Sequence, residues 1–234
     1  MVVGFEKVSY LAVAFVGAAL CTFSVWFAVD HVRYKAAEIR LNECVESNTC
    51  DFEQAHQNVK TTLEDMSEGV LLSPAVLYSL GAISNYRGNY VFKDFSSRRE
   101  QWESAEATYR KALHKSPLWG RAWLQMARMQ LLAGKLEGVD SLMRALQTAP
   151  FEYHTQMPAV ELSFSYWVYL RPEAKQLVLE TLERFFDATI WGLKYIDLSF
   201  RYGVQDEVWP HLKSEQQKRY FLRQAKKQSN KRAD

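Results

Sequence analysis

An all-α fold, one membrane-crossing helix followed by a short stack of paired helices, is what this sequence predicts. Three observations lead there. Val8 to Val29 contains no charged residue, and at 1.5 Å per residue that run is long enough for the roughly 30 Å hydrocarbon core of a bilayer. Gly numbers 10 and Pro 6 in 234 residues, too few for a sandwich or barrel rich in turns. Beyond the apolar run, small and aromatic residues recur at helical spacing: Ala105, Tyr109 and Ala112, closed by Pro117.

Residues 1–30 are therefore the expected anchor. Glu6 and Lys7 precede the run, and Asp30, His31 and Arg33 follow it. A cleaved leader would have a shorter apolar core and a small-x-small end, whereas Val25, Trp26, Phe27 and Val29 close this one. Residues 31–70 form a helical neck. His31 to Cys44 continues the anchor helix, and Phe52 to Met66 is amphipathic through Phe52, Ala55, Val59, Leu63 and Met66. Charge counting places the body on the cytoplasmic side, because Arg33, Lys35 and Arg40 outnumber Lys7. Cys44 and Cys50 pull the other way, since a close pair suits an oxidising compartment, although two unrelated thiols would read the same.

Residues 71–150 carry the repeat pattern. Ser73-Pro74 starts a helix, with Ser as cap and Pro in the first turn. Leu80 and Gly81 are its small-contact positions, and Gly88 and Tyr90 read as the turn after it. Val91 to Gln101 is an insertion, either a loop or an extended helix end, and its Phe92, Phe95, Arg98 and Arg99 are contact candidates. Trp102 then takes the position Tyr90 would have held. AEATYRKALHKSP (Ala105–Pro117) resembles the second helix of a tetratricopeptide repeat. RAWLQMARMQLLAGKLEGVDSLMRAL (Arg121–Leu146) follows as the next repeat, with Gly134 in its turn and Pro150 as its stop. Val139 and Leu146 stand where alanines are usual, so this pair should pack wider.

Residues 151–212 complete the solenoid with helices over Pro158–Leu170, Pro172–Phe186 and Ile190–Tyr202, the last stopped by Gly203. Residues 213–234 are a basic helix and tail. Ser214 and Gln217 form a capping box, and eight Lys and Arg from Lys213 to Arg232 meet only Glu215 and Asp234. The helix is expected to dissolve into KKQSNKRAD. Such a tail reads as a solvated end cap or as a contact for anionic lipid or polysaccharide; nucleic acid is not expected, because no second basic face accompanies it.

With its N-terminal anchor, degenerate repeats and the run YLRPEAKQLVLETLERFFDATIWGLKYIDLSFRYG (Tyr169–Gly203), the chain resembles the VpsP family of polysaccharide-biosynthesis proteins. That resemblance implies a single-pass protein of the bacterial inner membrane with its body in the periplasm, against the charge count. It also implies protein–protein interaction within exopolysaccharide synthesis or export. A periplasmic body would in turn have Cys44 and Cys50 linked. The alternative is a similar scaffold for another envelope assembly, in cofactor maturation, secretion or division.

The sequence carries no catalytic signature. There is no G-x-S-x-G elbow, phosphate-binding glycine loop or H-E-x-x-H, and His31, His56, His114, His154 and His211 lack paired ligand spacing. No enzyme, cofactor or metal is expected. Glu161, flanked by apolar residues, is the most notable single acid and reads as structural. The expected partner-binding face is the first-helix surface of each repeat: Tyr78, Asn85 and Tyr86 from one, Arg121, Leu124 and Arg128 from the next.

Overall fold

The computed structural model describes residues 74–186 and 189–231, with isolated helical positions at 29, 32, 36, 39, 57, 60 and 61. The expected anchor and neck, and with them Cys44 and Cys50, lie outside the described residues apart from those positions. Every regular element among the described residues is helical. No described helix is long and apolar enough to cross a membrane. The chain forms two compact units, Met1–Ile83 and Ser84–Asp234.

Helix α1 (Pro74–Tyr86) begins at the expected proline and ends in the second unit. It does not turn at Gly88 and Tyr90. It widens instead into a single π-turn, Arg87–Val91, closed by Phe92 N–H donating to Arg87 O at 3.2 Å. Helix α2 (Phe95–Lys115) starts three residues later. Asp94 caps it, accepting from Ser97 N at 2.8 Å and Ser96 Oγ at 2.7 Å. These bonds hold the Asp94 carboxyl down at about 2. The stretch from Val91 to Gln101 is thus mainly an extended helix end.

The remaining elements are α3 (Gly120–Leu132), α4 (Gly138–Thr148), α5 (Tyr153–Ser165), a 3₁₀ turn (Trp167–Tyr169), α6 (Pro172–Phe186), α7 (Thr189–Tyr202), the short α8 (Gln205–Val208) with a 3₁₀ turn (Trp209–His211), and α9 (Glu215–Lys231). Consecutive helices pack on one another from α2 to α7. In addition α3 packs on α5, α5 on α7 and α7 on α9, while α4 packs on α6. Alternate helices therefore make two layers, which is the arrangement of stacked helix pairs.

Local chemistry explains the turns. Pro117 stops α2, and Trp123 Nε1 donates to its carbonyl at 2.7 Å. Gly134 ends α3 at φ 81°, and Lys135 N–H reaches back to Gln130 O at 2.8 Å. The α3–α4 approach is close, not wider as Val139 and Leu146 predict, because Gly138 lets the backbones meet: a Cβ on Gly138 would lie 2.9 Å from Ala127 O. Ala105, Tyr109 and Ala112 are fully buried on α2. One continuous core then runs from Leu124 through Leu142, Val160, Phe164, Leu182 and Ile196 to Phe221.

Three expected boundaries move, and the first is the end of α5, which stops at Ser165 rather than Leu170 because the Tyr166 N–H is shared between Leu162 O and Ser163 O and the chain tightens into the 3₁₀ turn. Helix α5 starts at Tyr153 rather than Pro158, because Glu152 O accepts from Thr155 and Gln156 N–H at 2.9 and 2.8 Å and opens the helix one turn earlier. Pro158 forgoes one helical bond within α5, and buried Gln156 ties the start of that helix to the end of α4, its amide donating to Leu146 O at 3.0 Å and Ala149 O at 2.6 Å. The C-terminal helix likewise continues to Lys231 rather than dissolving after Ala225. Its capping box forms as expected, with Gln217 N–H donating to Ser214 Oγ at 3.2 Å and Ser214 N–H to Gln217 Oε1 at 3.1 Å.

Candidate functional site

The π-turn and the start of α2 build a platform from their side chains upward. Gly88 is buried, and a Cβ there would fall 2.7 Å from Trp102 Nε1. That close approach lets the indole slide under the turn. Trp102 is buried and needs a partner for its N–H; it donates to Asn89 Oδ1 at 3.2 Å, and Asn89 Nδ2 donates to Asn85 Oδ1 at 2.6 Å. Arg98 Nε donates to Gly88 O at 2.9 Å, and its guanidinium lies 5.0 Å from the Trp102 ring centroid. A π-turn leaves carbonyl groups out of register with the helical ladder, and here Arg98 takes one of them.

Aromatic rings rise from this base. Tyr86 and Tyr90 have centroids 4.6 Å apart, Phe95 meets Trp102 at 6.0 Å edge-on, and Arg87 lies 5.5 Å from the Phe92 centroid. Tyr90 is 73% exposed and Phe95 61% exposed. Exposed aromatic rings beside guanidinium groups, held by part-buried hydrogen bonds, are the composition of protein-contact anchors. The platform offers ring faces, cations and amides to whatever meets it.

The expected partner face is redistributed. Asn85 and Tyr86 belong to the platform. Tyr78 is half-buried on α1 within the first unit. On α3, Arg121 is exposed and Arg128 half-buried. Leu124 is 2% exposed and part of the core, so it has no surface for a partner. The cause is the packing of α5 against α3, which claims the stripe of Leu124 and Leu131 and leaves the arginines outside. Sequence spacing missed the Trp102–Asn89–Asn85 relay. Its available signal was the Asn85/Asn89 pair one helical turn apart, opposite an indole that would need an acceptor.

Other polar groups serve the fold. Glu106, only 5% exposed on α2, accepts from Gln130 Nε2 at 3.1 Å and Lys135 Nζ at 2.9 Å and also pairs with Arg110. Gln130 accepts in turn from Ser141 Oγ at 2.7 Å. One relay thus joins α2, α3 and α4. His211 Nδ1 lies 2.6 Å from Glu183 Oε1 and Lys213 Nζ 3.4 Å from Oε2, docking the 3₁₀ turn on α6. These bonds, that of His211 foremost, hold Glu183 below the usual carboxylate range. Glu161 faces Tyr202 Oη at 3.4 Å and Arg201 at 3.7 Å. An open cleft of about 750 Å³ lies between α4 and α6, crossed by the Arg171–Asp140 pair at 2.7 Å. Among the described residues, no three His, Cys, Asp or Glu are grouped to hold a metal ion.

No family model, curated protein or solved structure matches this chain.

Proposed function

We propose that this chain is a membrane-anchored scaffold. Val8–Val29 holds it in the bilayer, and its tetratricopeptide-like helix pairs present the π-turn platform to a protein partner. The observation that carries this reading is the pairing of two strongly exposed aromatic residues, Tyr90 and Phe95, with a hydrogen-bonded base formed by buried Trp102 and half-buried Asn89 and Arg98. A surface that is both apolar and preorganised loses little side-chain freedom when a partner docks. The resemblance to the VpsP family supplies the context: the partner is a component of exopolysaccharide synthesis or export in the bacterial envelope, met on the periplasmic side of the inner membrane.

The test is affinity capture of the full chain from detergent-solubilised native membranes, followed by mass spectrometry. Capture should bring down a polymerase or exporter subunit. Tyr90→Ala with Phe95→Ala should reduce its recovery by about tenfold or more, the equivalent of losing one contact anchor, while the circular dichroism spectrum stays unchanged. Equal recovery by parent and variant removes the platform from consideration. Recovery of an unrelated envelope assembly keeps the scaffold and rejects the polysaccharide context.

A further inference from the structure

Helix α9 is pinned so firmly on one side that its opposite side is dictated. Phe221 is buried, with its ring 4.7 Å from Phe200 and 4.9 Å from Trp209. Tyr220 Oη donates to the Asp197 carboxylate, 3.0 Å from either oxygen, and Gln228 Nε2 donates to Phe200 O at 3.3 Å. Gln217 is buried in the capping box. With those residues turned inward, Arg219, Arg223, Lys226 and Lys227 all stand exposed. At 3.6 residues per turn these four occupy about a third of the helix circumference.

That sector holds a single carboxylate, Glu215, which opens the same four-residue row one turn before Arg219. Glu215, in the first turn, is the only acidic residue of α9, and Lys218 lies 3.5 Å from it. Arg219, Arg223 and Lys227 follow one another at four-residue intervals, where like charges repel. A solvated end cap would be better served by mixed signs. At the edge of the sector Leu222 is 58% exposed. A basic face with an apolar residue at its border is the composition of a helix that lies on a membrane surface.

We propose that the outer face of α9 binds an anionic lipid surface, the four cations meeting lipid phosphates and Leu222 entering the headgroup boundary. This rests on the reading of Val8–Val29 as the anchor, which keeps the helix within reach of the bilayer so that docking is intramolecular. The face is one helix wide and presents its cations along a single row, which suits a plane of headgroups. The scaffold thus has a second point of attachment, and lipid charge controls whether α9 is held at the membrane or free.

The experiment uses the full chain reconstituted into vesicles of neutral phosphatidylcholine, and into vesicles of the same lipid mixed with anionic phosphatidylglycerol. Hydrogen exchange of the α9 amides is followed by mass spectrometry. Exchange should slow by about tenfold or more in the anionic vesicles at low salt and recover at 1 M salt, where the Debye length falls to about 3 Å. A variant with Arg219→Gln, Arg223→Gln, Lys226→Gln and Lys227→Gln keeps helix propensity. It should remain reconstituted and show a change of less than about twofold, since the charges that carry the attraction are gone. Identical α9 exchange in the two lipids overturns the proposal. Protection by soluble dextran sulfate without protection by anionic vesicles also overturns it, in favour of a polymer ligand. Flotation with neutral vesicles tests the anchor separately. If the chain fails to float there, α9 is judged by flotation with anionic vesicles alone: binding that the quadruple variant loses upholds it, and no binding rejects it.

Discussion

Replacing Glu106 by Ala should destabilise the second unit by about 2–3 kcal/mol, with most of that cost coming from one bond. Lys135 and Arg110 keep 30% and 65% of their side chains exposed. Both cations can return to water, so each of those pairs contributes only a fraction of about 1 kcal/mol. Gln130 is different. It is 3% exposed, and without Glu106 its Nε2 at 3.1 Å has lost a charged acceptor in the interior. A buried donor left without its partner costs about 1–3 kcal/mol. Ala is a good helix former, so α2 itself is not weakened.

For a unit of this size the loss corresponds to a Tm fall of about 4–12 °C, measured by circular dichroism on parent and variant. Glu103→Ala is the comparator. Glu103 is 42% exposed, with Arg99 at 3.1 Å and Lys135 at 3.6 Å, and should cost less than about 0.5 kcal/mol. Acid provides a second readout. Burial pushes the Glu106 carboxyl up, but hydrogen bonds from Lys135, Gln130 and Arg110, with the Lys135 charge, outweigh it and leave the group below its ordinary 4.5. A carboxyl whose folded value is depressed contributes fully above the unfolded value and loses that contribution as pH falls through the folded one. The gap between parent and Glu106→Ala should therefore narrow below pH 4.5. Equal losses at Glu106 and Glu103, or a gap that widens in acid, would refute the reasoning.

Gly138→Ala should destabilise by about 1–2 kcal/mol, overpacking against Ala127 O and Leu131 outweighing the propensity gained; a urea midpoint equal to or above the parent's would mean that α3 and α4 have room for a methyl group. Cys44 and Cys50 should be linked in protein from the native envelope if the body is periplasmic, and intact-mass analysis after alkylation without reductant should then find neither thiol modified. Two alkylated thiols would count against both the bridge and that placement.

The helices of the second unit were legible because their signals are local. Pro117 stops α2, Gly134 turns α3 and Gly203 ends α7 through backbone restrictions that belong to the residue itself. Pro172–Phe186 matches its expected limits, and Ser214 and Gln217 form their cap within four residues of chain. Helical periodicity also placed Ala105, Tyr109 and Ala112 in the interior.

What the residues by themselves could not decide is which neighbour each face meets. Leu124 and Arg121 lie on adjoining stripes of α3, and either could have faced solvent; the docking of α5 buried one and exposed the other. Tyr90 reads locally as part of a turn, yet Trp102, twelve positions away, packs beneath Gly88 and donates to Asn89 within the widened π-turn. Lys226 to Lys231 has little apolar character, yet the Gln228 bond to Phe200 O holds it against α7 as helix. In each case the deciding energy comes from a residue distant in sequence. Burial and hydrogen bonding depend on which surfaces meet in space, whereas caps, turns and periodicity depend only on a few consecutive residues.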